Sequence, residues 1–99
     1  MDGTLTPPVV TVFVSGDVDV ATCGEMRDKL TAALNGGPVH LEADLSGVTF
    51  IDAAGIGVLV DVHHQATAAG GTLTLRSPSW GVRRLTGVLG LDGILPVAG

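Results

Sequence analysis

The groups with which this chain could do chemistry are few: three histidines, one cysteine, one lysine and ten carboxylates. His63 and His64 are neighbours in a helical stretch. Adjacent helical residues point about 100° apart, so they cannot clamp one metal ion as an i, i+4 pair would. His40 shares the polar side of a strand with Glu42, which reads as a solvated position. Cys23 follows a helix cap, where a thiol pKa can fall. It also lies on that helix's apolar stripe, which favours a packed thiol. No serine sits in a G-x-S-x-G elbow, there is no tyrosine, and no base stands beside a nucleophile. Gly55 and Gly57 form a G-x-G, but Val60 fills the third glycine position and Asp52 would repel a pyrophosphate; an isolated G-x-G is a weak signal. No G-x-x-x-x-G-K-[ST] loop exists, and Lys29 lies elsewhere. No catalytic residue, metal site or cofactor is expected.

What remains is a turn. In "VTFIDAAGIGVLV" an apolar strand runs into Asp52, Ala53, Ala54 and Gly55, then into an apolar helix beginning with Ile56. Asp52 is placed as an N-cap, its carboxylate accepting from the N–H of Ala54 or Gly55, worth about 1 kcal/mol. Alanines are good helix formers. Gly55, without a Cβ, lets another chain approach closely. On the residues alone two readings stand: a helix cap and nothing more, or a recognition turn.

Several elements must position this turn. Val9 to Val14 is a β-branched strand, broken by Ser15-Gly16-Asp17. Thr22-x-x-Glu25 has capping-box spacing at the start of a helix. That helix buries Cys23, Met26, Leu30, Ala33 and Leu34 and ends at Asn35-Gly36-Gly37-Pro38. Val39 to Leu45 alternates, with Val39, Leu41, Ala43 and Leu45 on one side and His40, Glu42 and Asp44 on the other. A second helix spans about Ala53 to Ala69 and stops at Gly70-Gly71. Thr72 to Arg76 alternates again; Ser77-Pro78-Ser79 opens a third helix with Val82, Leu85 and Leu89 inward, and Ile94 to Val97 is a last strand. The β-α-β-α-β-α-β order predicts a mostly parallel sheet. A sheet covered on both faces has strands that are apolar throughout. The alternation therefore predicts an α/β fold with helices on one face and solvent on the other.

Composition narrows the function. Ninety-nine residues imply one domain, 1–99, with residues 1–8 as a loose lead-in. The chain is 45% hydrophobic but only 3% aromatic, so the core must be aliphatic. The net charge of −5 argues against nucleic acid and anionic membranes, whose phosphates it would repel. No apolar run approaches the roughly 20 residues of a membrane span, and no signal segment opens the chain. A single cysteine agrees with a reducing compartment, and a cytoplasmic location is expected.

"LEADLSGVTFIDAAGIGVLV" resembles the signature of STAS domains, in particular bacterial anti-sigma factor antagonists. The match runs from Asp44 to Leu59, through a strand, an Asp-Ser-Ser/Ala-Gly turn and an apolar helix. "SGDVDVATCGEMRDKL" resembles the family's Gly-Glu-Leu-Asp segment and first helix, with Asp17 and Asp19 at its acidic positions, and "LRSPSWGVRRLTGVLGLDGILPV" resembles its later elements. The resemblance implies a STAS-like, mostly parallel sheet of four to five strands backed by helices on one face. The family's usual C-terminal helix is absent from this sequence, and its first strand is barely present.

The resemblance also implies partner switching. An unmodified antagonist binds an anti-sigma factor that is a serine kinase, freeing a sigma factor for transcription. Phosphorylation at the start of the second helix ends the complex. The phospho-acceptor aligns with Ala54, and Ala53 offers no hydroxyl either; Thr49 and Ser46 precede the turn. The expected partner surface is Asp17, Asp19, Thr22, Asp52, Ala53, Ala54, Gly55 and Ile56, an acidic, small-residue patch suited to a basic partner helix. Trp80, Arg83 and Arg84 are a second candidate contact face. The alternatives are a homodimer, a regulatory or assembly subunit of a multi-STAS complex or transporter, and a nucleotide-binding STAS domain.

Overall fold

A computed structural model describes residues 7–78, 82–84, 87, 90 and 97–98. Within them the order is β1 (Val9–Val18), α1 (Cys23–Leu34), β2 (His40–Ile51), α2 (Ala53–Ala68), β3 (Thr72–Arg76) and β4 (Val97–Ala98). The sheet runs β1-β2-β3-β4, and every pairing is parallel. β4 has only two residues.

The one-faced sheet follows from the alternation. Leu41, Ala43, Leu45, Leu73 and Leu75 are fully buried, and α1 and α2 pack over them. α1 inserts Met26 and Leu30, with Cys23, Ala33 and Leu34 partly buried beside them; α2 inserts Ile56, Val58, Leu59, Val62 and Ala66. Burying each large aliphatic side chain is worth about 1.5–3 kcal/mol, and the core is aliphatic as the composition required. The opposite face carries polar rows across the strands. Thr11 Oγ1 donates to Glu42 Oε1 at 3.1 Å, Arg76 Nη1 reaches the same oxygen at 3.3 Å, and His40 Nδ1 lies 2.9 Å from Thr72 Oγ1. Val9 and Phe13 are exposed on this face.

The first two strands are longer than their local sequence suggests. Ser15-Gly16-Asp17 does not break β1. The strand passes through it with two register irregularities, between Phe13 and Ser15 and between Gly16 and Asp17. Gly16 takes φ of +81° there, a conformation glycine reaches at no steric cost. β2 likewise continues past Leu45 to Ile51, pairing Ser15 with Gly47 and Val18 with Ile51. Such bulges bend a strand without ending its pairing.

α2 ends in a Schellman arrangement: Gly71 N donates to Ala66 O at 2.8 Å and Gly70 N to Thr67 O at 3.1 Å. Val82 to Arg84 have helical backbone, and Val82 is buried. Trp80, Leu85, Leu89, the proposed helix start at Ser79 and residues 94–96 of the last strand lie outside the described residues, as do residues 1–6.

Candidate functional site

The carboxyl ends of β1 and β2 bring both predicted loops together. Val18 and Ile51 are register partners, and Asp52 N donates to Val18 O at 3.1 Å. The chain leaving β1 through Asp19 to Thr22 therefore lies beside the turn from Asp52 into α2. A parallel pair must place its two following loops at one end, so this juxtaposition is a consequence of topology.

α2 starts as its sequence predicts. Asp52 is in extended conformation, and its Oδ1 accepts from Gly55 N at 3.1 Å. Ala53 is exposed and Ala54 half-buried. Gly55 and Ile56 are buried and present no side-chain surface. The absence of a Cβ at Gly55 serves the protein's own core rather than an approaching chain. A Cβ there would lie 2.6 Å from Ile51 Cγ1 and 2.8 Å from Val18 Cγ1. The first turn of α2 thus sits directly on the ends of both strands, which fixes the position of Ala53 and Ala54.

α1 starts differently. The Thr22–Glu25 capping box does not form, because Thr22 is in helical rather than extended conformation and its side chain makes no cap bond. Its hydroxyl instead donates to Asp17 O at 2.8 Å and accepts from Asp19 N at 3.0 Å. Asp19 takes over the orphan donors: its Oδ1 accepts from Ala21 N at 2.9 Å and Thr22 N at 3.1 Å, and its carbonyl accepts from Cys23 N at 2.7 Å. An Asx turn one step upstream has replaced the cap. Thr22 and Asp19 are consequently locked into the loop. The Glu25 side chain, predicted to reach back, has no hydrogen bond or ion pair among the described residues, and its N–H donates to Thr22 O at 3.0 Å.

Three further residues belong to this end of the molecule. Thr49 Oγ1 donates to Asp17 Oδ1 at 2.6 Å, tying the bulged end of β1 to β2. Val20 and Phe50 are 79% and 52% exposed: Val20 lies in the loop, and Phe50 is the register partner of Asp17. Each lies beside a carboxylate-bearing residue, Val20 next to Asp19 in the chain and Phe50 opposite Asp17 in the sheet. Counting alternate residues from Leu45 puts Phe50 outward, as found, but misplaces Val48, which is buried, and Thr49, which is exposed, because the register of this stretch is irregular. Arg83 and Arg84 are exposed, and Trp80 of the second candidate face is outside the described residues.

No three metal-ligating side chains converge among the described residues, and no helix among them is long and apolar enough to cross a membrane. The surface pairs two hydroxyls with carboxylates, Thr49 with Asp17 and Thr22 with Asp19. Its resources are two capping aspartates, Asp17, two small helical residues and two apolar side chains.

A fold of this topology, with an acidic loop beside a small-residue helix start, defines a class. The chain belongs to the family described as Mlab, STAS domain, whose model matches residues 3–96. It is 29% identical over 89 residues to the anti-sigma-B factor antagonist of Bacillus subtilis (strain 168), covering 90% of this chain and 81% of that protein. Among solved structures it resembles an anti-sigma factor antagonist from Mycobacterium paratuberculosis. That match has 27% identity and a TM-score of 0.80, over 90% of this chain and 75% of the other. The unphosphorylated form of the anti-sigma factor antagonist SpoIIAA shares the fold at 24% identity and a TM-score of 0.75, over 97% and 84% of the two chains.

Proposed function

We propose that this protein is a non-enzymatic binding module that docks on an anti-sigma factor of the serine-kinase type and thereby regulates sigma-factor-dependent transcription. Its docking surface is Asp17, Asp19, Thr22, Asp52, Ala53 and Ala54, joined by Val20 and Phe50. The relatives named as anti-sigma factor antagonists support this reading. The observation that carries it is the start of α2, where the accessible residues after the Asp52 cap are both alanines.

Ala54 stands where the family's phospho-acceptor aligns. A phosphate there would add about −1.5 to −2 charge beside Asp52. Alanine cannot carry it, so the surface stays in the electrostatic condition of an unmodified antagonist and the complex is not released by the kinase.

The test compares the wild type with Ala54→Ser. Each is mixed with the host's purified serine-kinase-type anti-sigma factor and radiolabelled ATP. Both should bind, but only Ala54→Ser should take up label in the turn and then dissociate. Label mapped to this turn in the wild type would overturn the unswitchable part, and absence of binding would overturn the whole reading.

A further inference from the structure

Among the described residues β1 is an edge of the sheet, and its register fixes which of its main-chain groups are free. Val9 stands opposite His40, and His40 N donates to Pro8 O at 2.8 Å. In a parallel pair a residue turns its N–H and C=O to the same side, and the next residue turns them to the other. Pro8, Val10 and Val12 therefore face β2, and Val9, Thr11 and Phe13 turn their main-chain groups out of the sheet. Of these outward groups only Phe13 O has a partner among the described residues. It accepts from Lys29 Nζ at 2.8 Å, and a carbonyl oxygen can accept a second bond.

This open edge is short and bounded. Pro7 and Pro8 have no N–H to offer, and the register turns irregular after Phe13. Prolines, a lysine and a bulge are common means of blunting an edge, and here they leave Val9 to Phe13 between them. That stretch holds no charged residue. Val9, Thr11 and Phe13 are exposed on the open face, and Val10 and Val12 are only partly buried on the helix face. Val-Val-Thr-Val-Phe is also the same pattern of apolar and polar residues in either direction about Thr11.

We propose that two copies of this chain pair antiparallel through Val9 to Phe13, about a twofold axis at Thr11, so that their sheets become one. Thr11 then exchanges both main-chain bonds with the second copy's Thr11, and Val9 does so with the second copy's Phe13. Side chains match under the same operation: Val9 meets the second copy's Phe13, Val10 meets its Val12, and the two threonines meet at the axis. Such cross-strand pairs are the unit of sheet stabilisation. A slip by two residues would set Thr11 against an apolar side chain, and a slip by one would mix the two faces. Two chains of net charge −5 thus meet along a stretch that brings no like charges together. The paired strands run in opposite directions, so the Asp17–Asp52 ends of the two copies point apart and both stay open. The pairing itself does not rest on what that end binds.

Sedimentation equilibrium from roughly 10 µM to 1 mM should show a monomer–dimer equilibrium with a dissociation constant on the order of 0.1–1 mM, as suits an interface below the standard size. Across that range amide exchange followed by NMR should slow about two- to threefold at Thr11 and Phe13, in proportion to the dimer formed. It should not change at Val10 and Val12, whose N–H groups face β2. Thr11→Lys places two ammonium groups opposite each other at the axis and should weaken pairing roughly tenfold. In the monomer the new side chain lies beside Glu42, the residue that Thr11 contacts, and the urea midpoint should hold. The substitution lowers the net charge, so relief of general repulsion would tighten pairing instead. A protein that stays monomeric at about 1 mM, amides of Thr11 and Phe13 that ignore concentration, or a dimer unaffected by Thr11→Lys would each overturn the proposal.

Discussion

Where β2 begins, the sheet is closed backbone against backbone: Gly71 is packed so tightly on Val39 that a Cβ would meet its carbonyl oxygen, nitrogen and carbonyl carbon. His40 N and Thr72 N continue the closure with bonds to Pro8 O and Val39 O at 2.8 and 3.0 Å. Where β1 and β2 end, closure is by side chains. Asp19 and Asp52 take the helix donors, Thr49 holds Asp17, and Gly55 rests on Val18 and Ile51. At the first end the backbone groups pair with one another. The second exposes carboxylates, methyl groups and two apolar side chains on a rigid base. One end of the sheet carries stability and the other carries the proposed docking surface.

Gly71→Ala should break this contrast most severely. The new Cβ would overlap Val39 O, and only a backbone shift could relieve it. A loss of about 3 kcal/mol or more is expected, at the upper edge of overpacking costs. Urea denaturation would show it, and the folded fraction should bind partner normally. Gly55→Ala meets side-chain atoms at 2.6 and 2.8 Å, and these can yield. Overpacking of about 1–3 kcal/mol is partly offset by roughly 1 kcal/mol of helix propensity. A loss of about 1 kcal/mol in the same assay, with α2 displaced and partner affinity reduced, would support the division. Unchanged affinity would show that the position of Ala53 and Ala54 does not matter.

A smaller effect separates the two accounts of how α1 starts. Asp19→Ala should cost about 1 kcal/mol, the usual value of a cap. Glu25→Gln should leave stability within about 0.5 kcal/mol, as an unpartnered surface residue does. The reverse ranking would restore the capping box. The smallest effect lies away from both ends. The Ser46 hydroxyl, then the Ser46 N–H, and to a lesser extent Arg76, hold Asp44 below its ordinary 3.8, against a weak opposing effect of burial. Because the folded pKa is the lower one, the stabilisation is fully present above about pH 4 and is lost as pH falls through the folded value. Asp44→Asn should slightly lower the urea midpoint at neutral pH and flatten the acid limb of its profile between about pH 5 and 2, so that the two proteins converge at the acid end.

Much of this was legible beforehand, for a definite reason. The His40–Asp44 and Thr72–Arg76 alternation states which side of each strand is wet, and a period-2 pattern has only one way to be buried. The Asp52 cap is likewise a bond across three residues, and its donor, Gly55 N, is one of two that such a cap can reach. Thr22-x-x-Glu25 had equally good local credentials and failed. Asp19, three residues upstream, took with its carboxylate the Thr22 N–H that Glu25 would have used. Ser15-Gly16-Asp17 looked like a break because its neighbours in sequence carry no trace of β2.

The order of elements, the one-sided sheet, the aliphatic core, the cap on α2 and the want of a hydroxyl at positions 53 and 54 are properties of residue type and near-neighbour spacing, and the sequence alone determined them. The length of β1 and β2, the inward role of Gly55, and the capture of Thr22 and Asp17 in one hydrogen-bonded corner were decided by tertiary structure. Thr22 meets Asp17 and Asp19 within five residues, but the strand lengths and the place of Gly55 depend on contacts between segments some 30 residues apart, as does the Thr49 bond to Asp17. Strand pairing sets those contacts, and no local pattern records them.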